Sequence, residues 1–255
     1  MAWEATAVAT VRRAARLIRD NLGQNTGVGL KSSPSDVVTQ TDLDSESLIR
    51  ECLLAANPHA GIIGEEGGQT AAAARLQWII DPLDGTVNFT YGVPLFAVSI
   101  AAAYEGTMVA GAVIDVLRDE VFSAGLGLGA RCDGESITAS TCSSLSDALV
   151  TTGFSYRAAL RETQGHVVGR LLPLVRDIRC FGSAALQMCW LACGRVDAYY
   201  ERDTKVWDYA AGSLIVTESG ALMELHCPEN DALVVAAPAG LFDALRPHVD
   251  PMTTP

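Results

Sequence analysis

The stretch Trp78-Ile79-Ile80-Asp81-Pro82-Leu83-Asp84-Gly85-Thr86 constrains the fold more than any other part of the chain. Its three large apolar residues read as a buried strand, and Pro82 is expected to end that strand because proline has no backbone donor. Asp81 then sits at the strand end and Asp84 on the turn beyond it. Asp-Pro and Asp-Gly steps also build ordinary turns, so the stretch alone supports a turn as well as a site. A chain of 255 residues, 49% hydrophobic and 19% charged, can bury such a strand in one large core or in two compact lobes.

Apolar spacing divides the rest of the chain. "ATAVATVRRAARLIRDNLG" predicts an amphipathic helix ending near Gly23, and "LDSESLIRECLLAANP" a second helix with Leu43, Leu48, Ile49, Leu53 and Leu54 as its stripe. "AGIIGEEGG" reads as a short strand ending in two glutamates. From Leu95 to Ile137, apolar runs broken at Glu105-Gly106, Leu117-Arg118-Asp119 and Asp133-Gly134 predict an antiparallel meander. Gly125, Gly127 and Gly129 are turn or bulge positions, because strand residues follow them where a dinucleotide loop would need a helix. Beyond residue 140 the expected order is strand "ALVTTGF", helix "ETQGHVVGRLLPLVRD" interrupted at Gly169 and Pro173, and helix "GSAALQMCWLACG". Strand "VDAYYE", helix "WDYAAGSLIVTESG" and strand "ALVVAAP" follow. This suggests an N-terminal α+β lobe over 1–140 and a C-terminal α/β lobe over 141–255.

Several classes of function drop out. A net charge of −12 argues against nucleic-acid binding, and no apolar run is long enough for a membrane span. No signal peptide is expected. Seven cysteines, an odd number without a C-x-x-C pair, point to a reducing cytoplasm. The histidines (59, 166, 226 and 248) form no nucleophile triad and offer no zinc site. What remains is a set of acidic clusters at element ends: Asp36 and Asp42, Glu65 and Glu66, Asp81 and Asp84, and Asp208. Individually, Asp42, Asp44 and Asp208 could be helix caps and Glu65-Glu66 a solvated loop. Joined in space, they would form an oxygen-only site suited to a hard cation such as Mg²⁺.

"DVVTQTD", "GEE", "DPLDGTVNF" and "WDYAAGSLIVTESGA" together resemble the inositol monophosphatase family of Mg²⁺-dependent, lithium-sensitive phosphatases, in order and over about Lys31 to Ala221. "GTVNFTYGVP" and "GSAAL…CGRVDAYYE" most resemble its actinobacterial members. The resemblance implies an α+β fold, a layered α-β-α-β-α sandwich, in a cytoplasmic homodimer with two or three Mg²⁺ per site. By it, Asp81 bridges two cations, Asp84 and Asp208 hold the second, and Glu65 and the Leu83 carbonyl hold the first. Gly85 and Thr86 amides bind phosphate. Thr86, held by Asp42 and helped by Glu65, orients or deprotonates a metal-activated water that attacks phosphorus directly. Val87 stands where many relatives carry a second threonine, and Lys205 is expected to be exposed.

The resemblance further assigns Ser183, Ala184 and Glu201, with Asp84 and Asp208, to the alcohol of inositol 1-phosphate. Glu201 suits a neutral polyol better than the second phosphate of fructose 1,6-bisphosphate or 3′-phosphoadenosine 5′-phosphate. The alternatives are a histidinol-phosphatase, another small-phosphomonoester phosphatase including one for 3′-phosphoadenosine 5′-phosphate, and a non-enzymatic interaction protein on the same fold.

Overall fold

The computed structural model describes residues 2–23, 28–30, 37–226 and 232–250, and Asp36 lies outside the described residues. The first half runs α1 (Ala2–Asp20), β1 (Val28–Leu30), β2 (Val37–Thr39), α2 (Gln40–Ala56), β3 (Gly61–Gly64), β4 (Gly68–Thr70), β5 (Leu76–Asp84), α3 (Thr86–Tyr91), β6 (Ala97–Tyr104), β7 (Thr107–Asp115), β8 (Val121–Gly125), β9 (Ala130–Cys132) and β10 (Glu135–Ser136). The second runs β11 (Leu149–Thr152), α4 (Ala158–Leu171), β12 (Asp177–Arg179), α5 (Ala184–Ala192), β13 (Ala198–Arg202), α6 (Val206–Glu218), β14 (Leu222–His226), β15 (Leu233–Ala237) and α7 (Ala239–Val249).

Eight strands form one sheet in the order β10-β9-β8-β7-β6-β5-β3-β4, and five form another in the order β12-β11-β13-β15-β14. Side-chain alternation explains how both become interior layers. On β6, Ala97, Ala101 and Ala103 face α5 and α6, while Val98, Ile100 and Ala102 face α1 and α2. On β15, Val234 and Ala236 face α5 and α6, while Leu233, Val235 and Ala237 face α4 and α7. Every residue of α5 is buried, as expected of a helix that is apolar around most of its circumference and lies between two sheets. The layers are therefore α1/α2, the eight-stranded sheet, α5/α6, the five-stranded sheet and α4/α7: the expected α-β-α-β-α sandwich.

The meander from β6 to β10 is antiparallel throughout. Its Glu105-Gly106 and Asp133-Gly134 corners have positive φ at both residues (50° and 82°, 49° and 87°), as a two-residue hairpin turn requires. Other expectations need correction. Pro82 does not end its strand: β5 continues to Asp84, and the register against β6 shifts between Asp81 and Asp84. The proline occupies that irregularity, where no ladder donor is needed. On α2, Leu43 and Leu54 are exposed, and the buried face is Thr41, Asp42, Ser45, Glu46, Ile49 and Leu53, the set that a 3.6-residue period superimposes. Helix α4 starts at Ala158 and passes through Gly169 without a break. Strands β4, β12 and β14 and helix α7 were not anticipated.

Candidate active site

A cleft of about 580 Å³ is lined by Glu65, Asp81, Asp84, Thr86, Glu201 and Asp208, among others. It gathers residues from β5, from the loop after β3, from β13 and from α6. Asp81 and Asp84 straddle the irregularity that Pro82 makes in β5, and both are buried. The Leu83 N–H donates to Asp81 Oδ1 at 3.0 Å. Asp84 accepts from Ser183 Oγ at 2.6 Å and from the Ala185 N–H at 2.7 Å, with the Ala184 N–H at 3.3 Å, all at the start of α5. Ser183 and Ala184, expected against the substrate, thus direct these donors at Asp84.

Asp208 lies in the first turn of α6, where the Lys205 N–H donates to its Oδ2 at 2.6 Å. Asp42 occupies the equivalent place on α2 and accepts from the Thr39 N–H at 2.8 Å and from the Thr39 hydroxyl. The capping reading of these two aspartates therefore holds, while Asp208 also lines the cleft and Asp42 also touches Thr86. Thr86 Oγ1 stands 2.9 Å from Asp42 Oδ1 and 3.0 Å from the Leu83 carbonyl, and its single proton can serve one of them at a time. Asp42 is fully buried behind Thr86. Gly85, between Asp84 and Thr86, has φ 99°, a conformation that a side chain would strain.

Burial raises several acids of the cleft, and repulsion between them adds to it at Asp81 and Asp208. Burial pushes Asp81 well above the usual carboxylate range, and Glu65, Asp84 and Asp208 add repulsion. Burial also raises Asp208, with Glu65 reinforcing it. Asp84 is pushed up to about 6 by burial, even though the Ser183, Ala185 and Ala184 donors favour its charged form. Burial pushes Glu201 up to about 8, against the stabilising bond that Tyr199 Oη donates at 3.0 Å. A Cβ on Gly153 would collide with the Glu201 carboxyl, so a glycine is what lets this acid sit in the cleft wall.

The chemistry of the donors fits a hard divalent cation: four carboxylates and a carbonyl, with no sulfur or nitrogen among them. Among the described residues, however, no three acidic, histidine or cysteine side chains form a ready-made cation cage. Asp81, Asp84 and Asp208 are instead turned to the protein donors named above. Lys205 is exposed at the cleft margin and pairs with Asp203 at 3.0 Å. Sequence reading missed Ser45, Glu46, Gly153 and Tyr199. The polar residues at 42, 45 and 46, one helical face that continues as Ile49 and Leu53, were the available signal.

A sequence model described as the inositol monophosphatase family matches residues 2–246. The chain belongs to the inositol monophosphatase family. It is 45% identical to the "Inositol-1-monophosphatase SuhB" of Mycobacterium tuberculosis, an alignment covering 96% of this chain and 89% of that protein. It is 38% identical to the "Nus factor SuhB" of Escherichia coli over 85% of this chain and 82% of that one. Among solved structures of the family, the suhB protein of Bartonella henselae superimposes with a TM-score of 0.92 at 30% identity, covering 98% of this chain and 99% of that one.

The raised acids make metal-free stability depend on pH. A carboxyl with a folded pKa above its unfolded value contributes most below the unfolded pKa, about 4, and loses that contribution as pH climbs to the folded value. With Asp84 near 6 and Glu201 near 8, EDTA-treated protein should lose thermal stability from about pH 5 to about pH 8. Mg²⁺ should raise the melting temperature more at the upper end. A flat melting profile, or an equal Mg²⁺ gain at both ends, would contradict this electrostatic picture.

Proposed function

We propose that this family phosphatase hydrolyses inositol 1-phosphate with Mg²⁺, held by Glu65, Asp81, the Leu83 carbonyl, Asp84 and Asp208. Bound there, the cations supply positive charge to the phosphoryl oxygens and acidify the attacking water. The chain's own part is positional and protonic. The Gly85 and Thr86 amides hold the phosphate in the turn after Asp84. Thr86 Oγ1 accepts a hydrogen bond from the attacking water while its own proton points to Asp42 Oδ1, with which it already lies in contact at 2.9 Å. Asp42 keeps that orientation because its other oxygen is engaged by Thr39. Metal ligands before residue 140 face Asp208 and Glu201 after it, so we place the cleft between lobes 1–140 and 141–255. Lithium inhibition, a homodimer and a cytoplasmic location are part of the same reading.

The observation that carries the choice of alcohol is the environment of Glu201. Burial pushes its carboxyl up to about 8 in the cation-free chain and Tyr199 donates to it, which weights the group toward the neutral acid, able both to donate and to accept. Polyol hydroxyls match that pairing. At this position the ammonium of histidinol phosphate would be better matched by a fixed negative charge and a second phosphate by a cation, and two basic residues of the cleft, Arg157 and Lys205, are already paired with Asp203.

Two sets of variants test these roles. Asp84→Asn should weaken Mg²⁺ binding and turnover together, whereas Thr86→Val should keep Mg²⁺ affinity and lose about 10²–10⁴ in kcat. Comparable loss of Mg²⁺ affinity in both, by calorimetry, would show that Thr86 has been given the wrong role. Glu201→Gln, which keeps a donor and an acceptor, should retain most of kcat/KM on inositol 1-phosphate. Glu201→Leu should lose about 1–3 kcal/mol of transition-state stabilisation on that substrate and almost none on p-nitrophenyl phosphate. Equal losses on both substrates would move Glu201 into the catalytic set and remove the argument for a polyol.

A further inference from the structure

Helix α2 aims one buried polar stripe at three separate parts of the site. Asp42 contacts Thr86, and Ser45 Oγ donates to the Pro82 carbonyl at 2.9 Å. Glu46, one position further along that face, reaches the loop after β3. Its carboxylate accepts from the Glu66 N–H at 2.8 Å and from the Gly67 N–H at 2.7 Å. Arg50, one turn along α2, donates to the same carboxylate at 2.7 Å and to the Gly68 carbonyl at 2.8 Å. Glu46 is only 3% exposed, so the charge is removed from water and matched by three donors. The loop sequence fits this grip. A Cβ on Gly64 would lie 2.7 Å from both the Glu46 carboxylate and the Arg50 guanidinium, and one on Gly67 2.5 Å from Glu46 Oε1.

Glu65 lies between those two glycines, immediately before the gripped amides. Its position is therefore set from both sides by a charge-assisted clamp that does not itself line the cleft. We propose that Glu46, braced by Arg50, is a positioning residue for Glu65 and so sets the affinity of the cation site that Glu65 completes. The inference rests on the reading of Glu65 as a cation ligand. It accounts for an otherwise costly feature, a buried acid and half-buried arginine beside an apolar core, by giving the pair a task at the site. Partners that orient a ligand from behind typically change metal affinity by about 10–100-fold when removed.

The test is calorimetric Mg²⁺ titration, which reads binding without turnover. Glu46→Gln keeps the shape but puts an amide where a carboxylate gripped two N–H groups. It should raise the Mg²⁺ dissociation constant about tenfold. Gly67→Ala, on an exposed loop, disturbs the same grip sterically without changing charge and should shift affinity in the same direction, which covers the case in which Glu46→Gln does not fold. Leu53→Ala, a core truncation on the same helix, should lower the melting temperature and leave Mg²⁺ affinity unchanged. In a Glu65→Ala background, Glu46→Gln should cause almost no further loss, since its effect runs through Glu65. Wild-type affinity in both Glu46→Gln and Gly67→Ala, or full additivity with Glu65→Ala, would overturn the inference while leaving the metal reading intact. Absence of Mg²⁺ binding by wild-type protein would overturn both.

Discussion

Four carboxylates face one cleft, whose lining also carries Arg157, Arg161, Arg202 and Lys205. Glu65, Asp81, Asp84 and Asp208 repel one another in a partly dehydrated site, which is why burial and mutual repulsion dominate the raised states of Asp81 and Asp208. Such an arrangement costs free energy in the cation-free chain, and only a compact, rigid frame keeps it from dispersing. Much of the surrounding architecture can be read as that frame. The irregularity at Pro82 holds Asp81 and Asp84 on one short stretch of β5, and the start of α5 fixes Asp84 through three donors.

The same frame separates two tasks. Acids that would meet cations are presented by a strand end, a loop and the first turn of α6. Thr86 and Asp42, by contrast, form a closed pair on the protein side of the cleft, with Thr39 holding the far oxygen of Asp42. Glu201 stands apart on β13, seated against Gly153 and Tyr199. It is far in sequence from the "DPLDGT" motif and comes from a different sheet, so this part of the cleft wall is built independently of Asp81 and Asp84.

Legibility in the sequence followed physical scale. Strong local signals were sufficient for the meander: Glu105-Gly106 and Asp133-Gly134 adopt the positive φ pairs that their residue types favour. Of the acid motifs, Glu65, Asp81, Asp84 and Asp208 share one cleft, because this topology brings their element ends together, whereas Asp42 lies behind Thr86. Less local features did not read. Pro82 looked like a strand terminator because an irregularity in register depends on β6, not on β5 alone. Strands β12 and β14 are edge elements with weak patterns of their own: β12 is three residues long and pairs with β11 across α4, and β14, which pairs with β15, has no fully buried residue. Helix α7 carries Pro247 near its end, which obscures the Leu241, Phe242, Leu245 and Val249 stripe. Glu46 was missed because an acid beside leucines reads as solvent-facing until the helix phase is tied to Asp42.

The central claim is that this acidic cleft works only when cations neutralise it, and phosphate release from inositol 1-phosphate tests it most directly. Protein treated with EDTA and desalted into metal-free buffer should release no phosphate above background. Mg²⁺ added back should restore turnover along a saturable curve, whereas monovalent salt at equal ionic strength should not. Undiminished phosphate release in the metal-free sample would contradict the account, because the four acids would then be supporting the chemistry without the charge their arrangement requires.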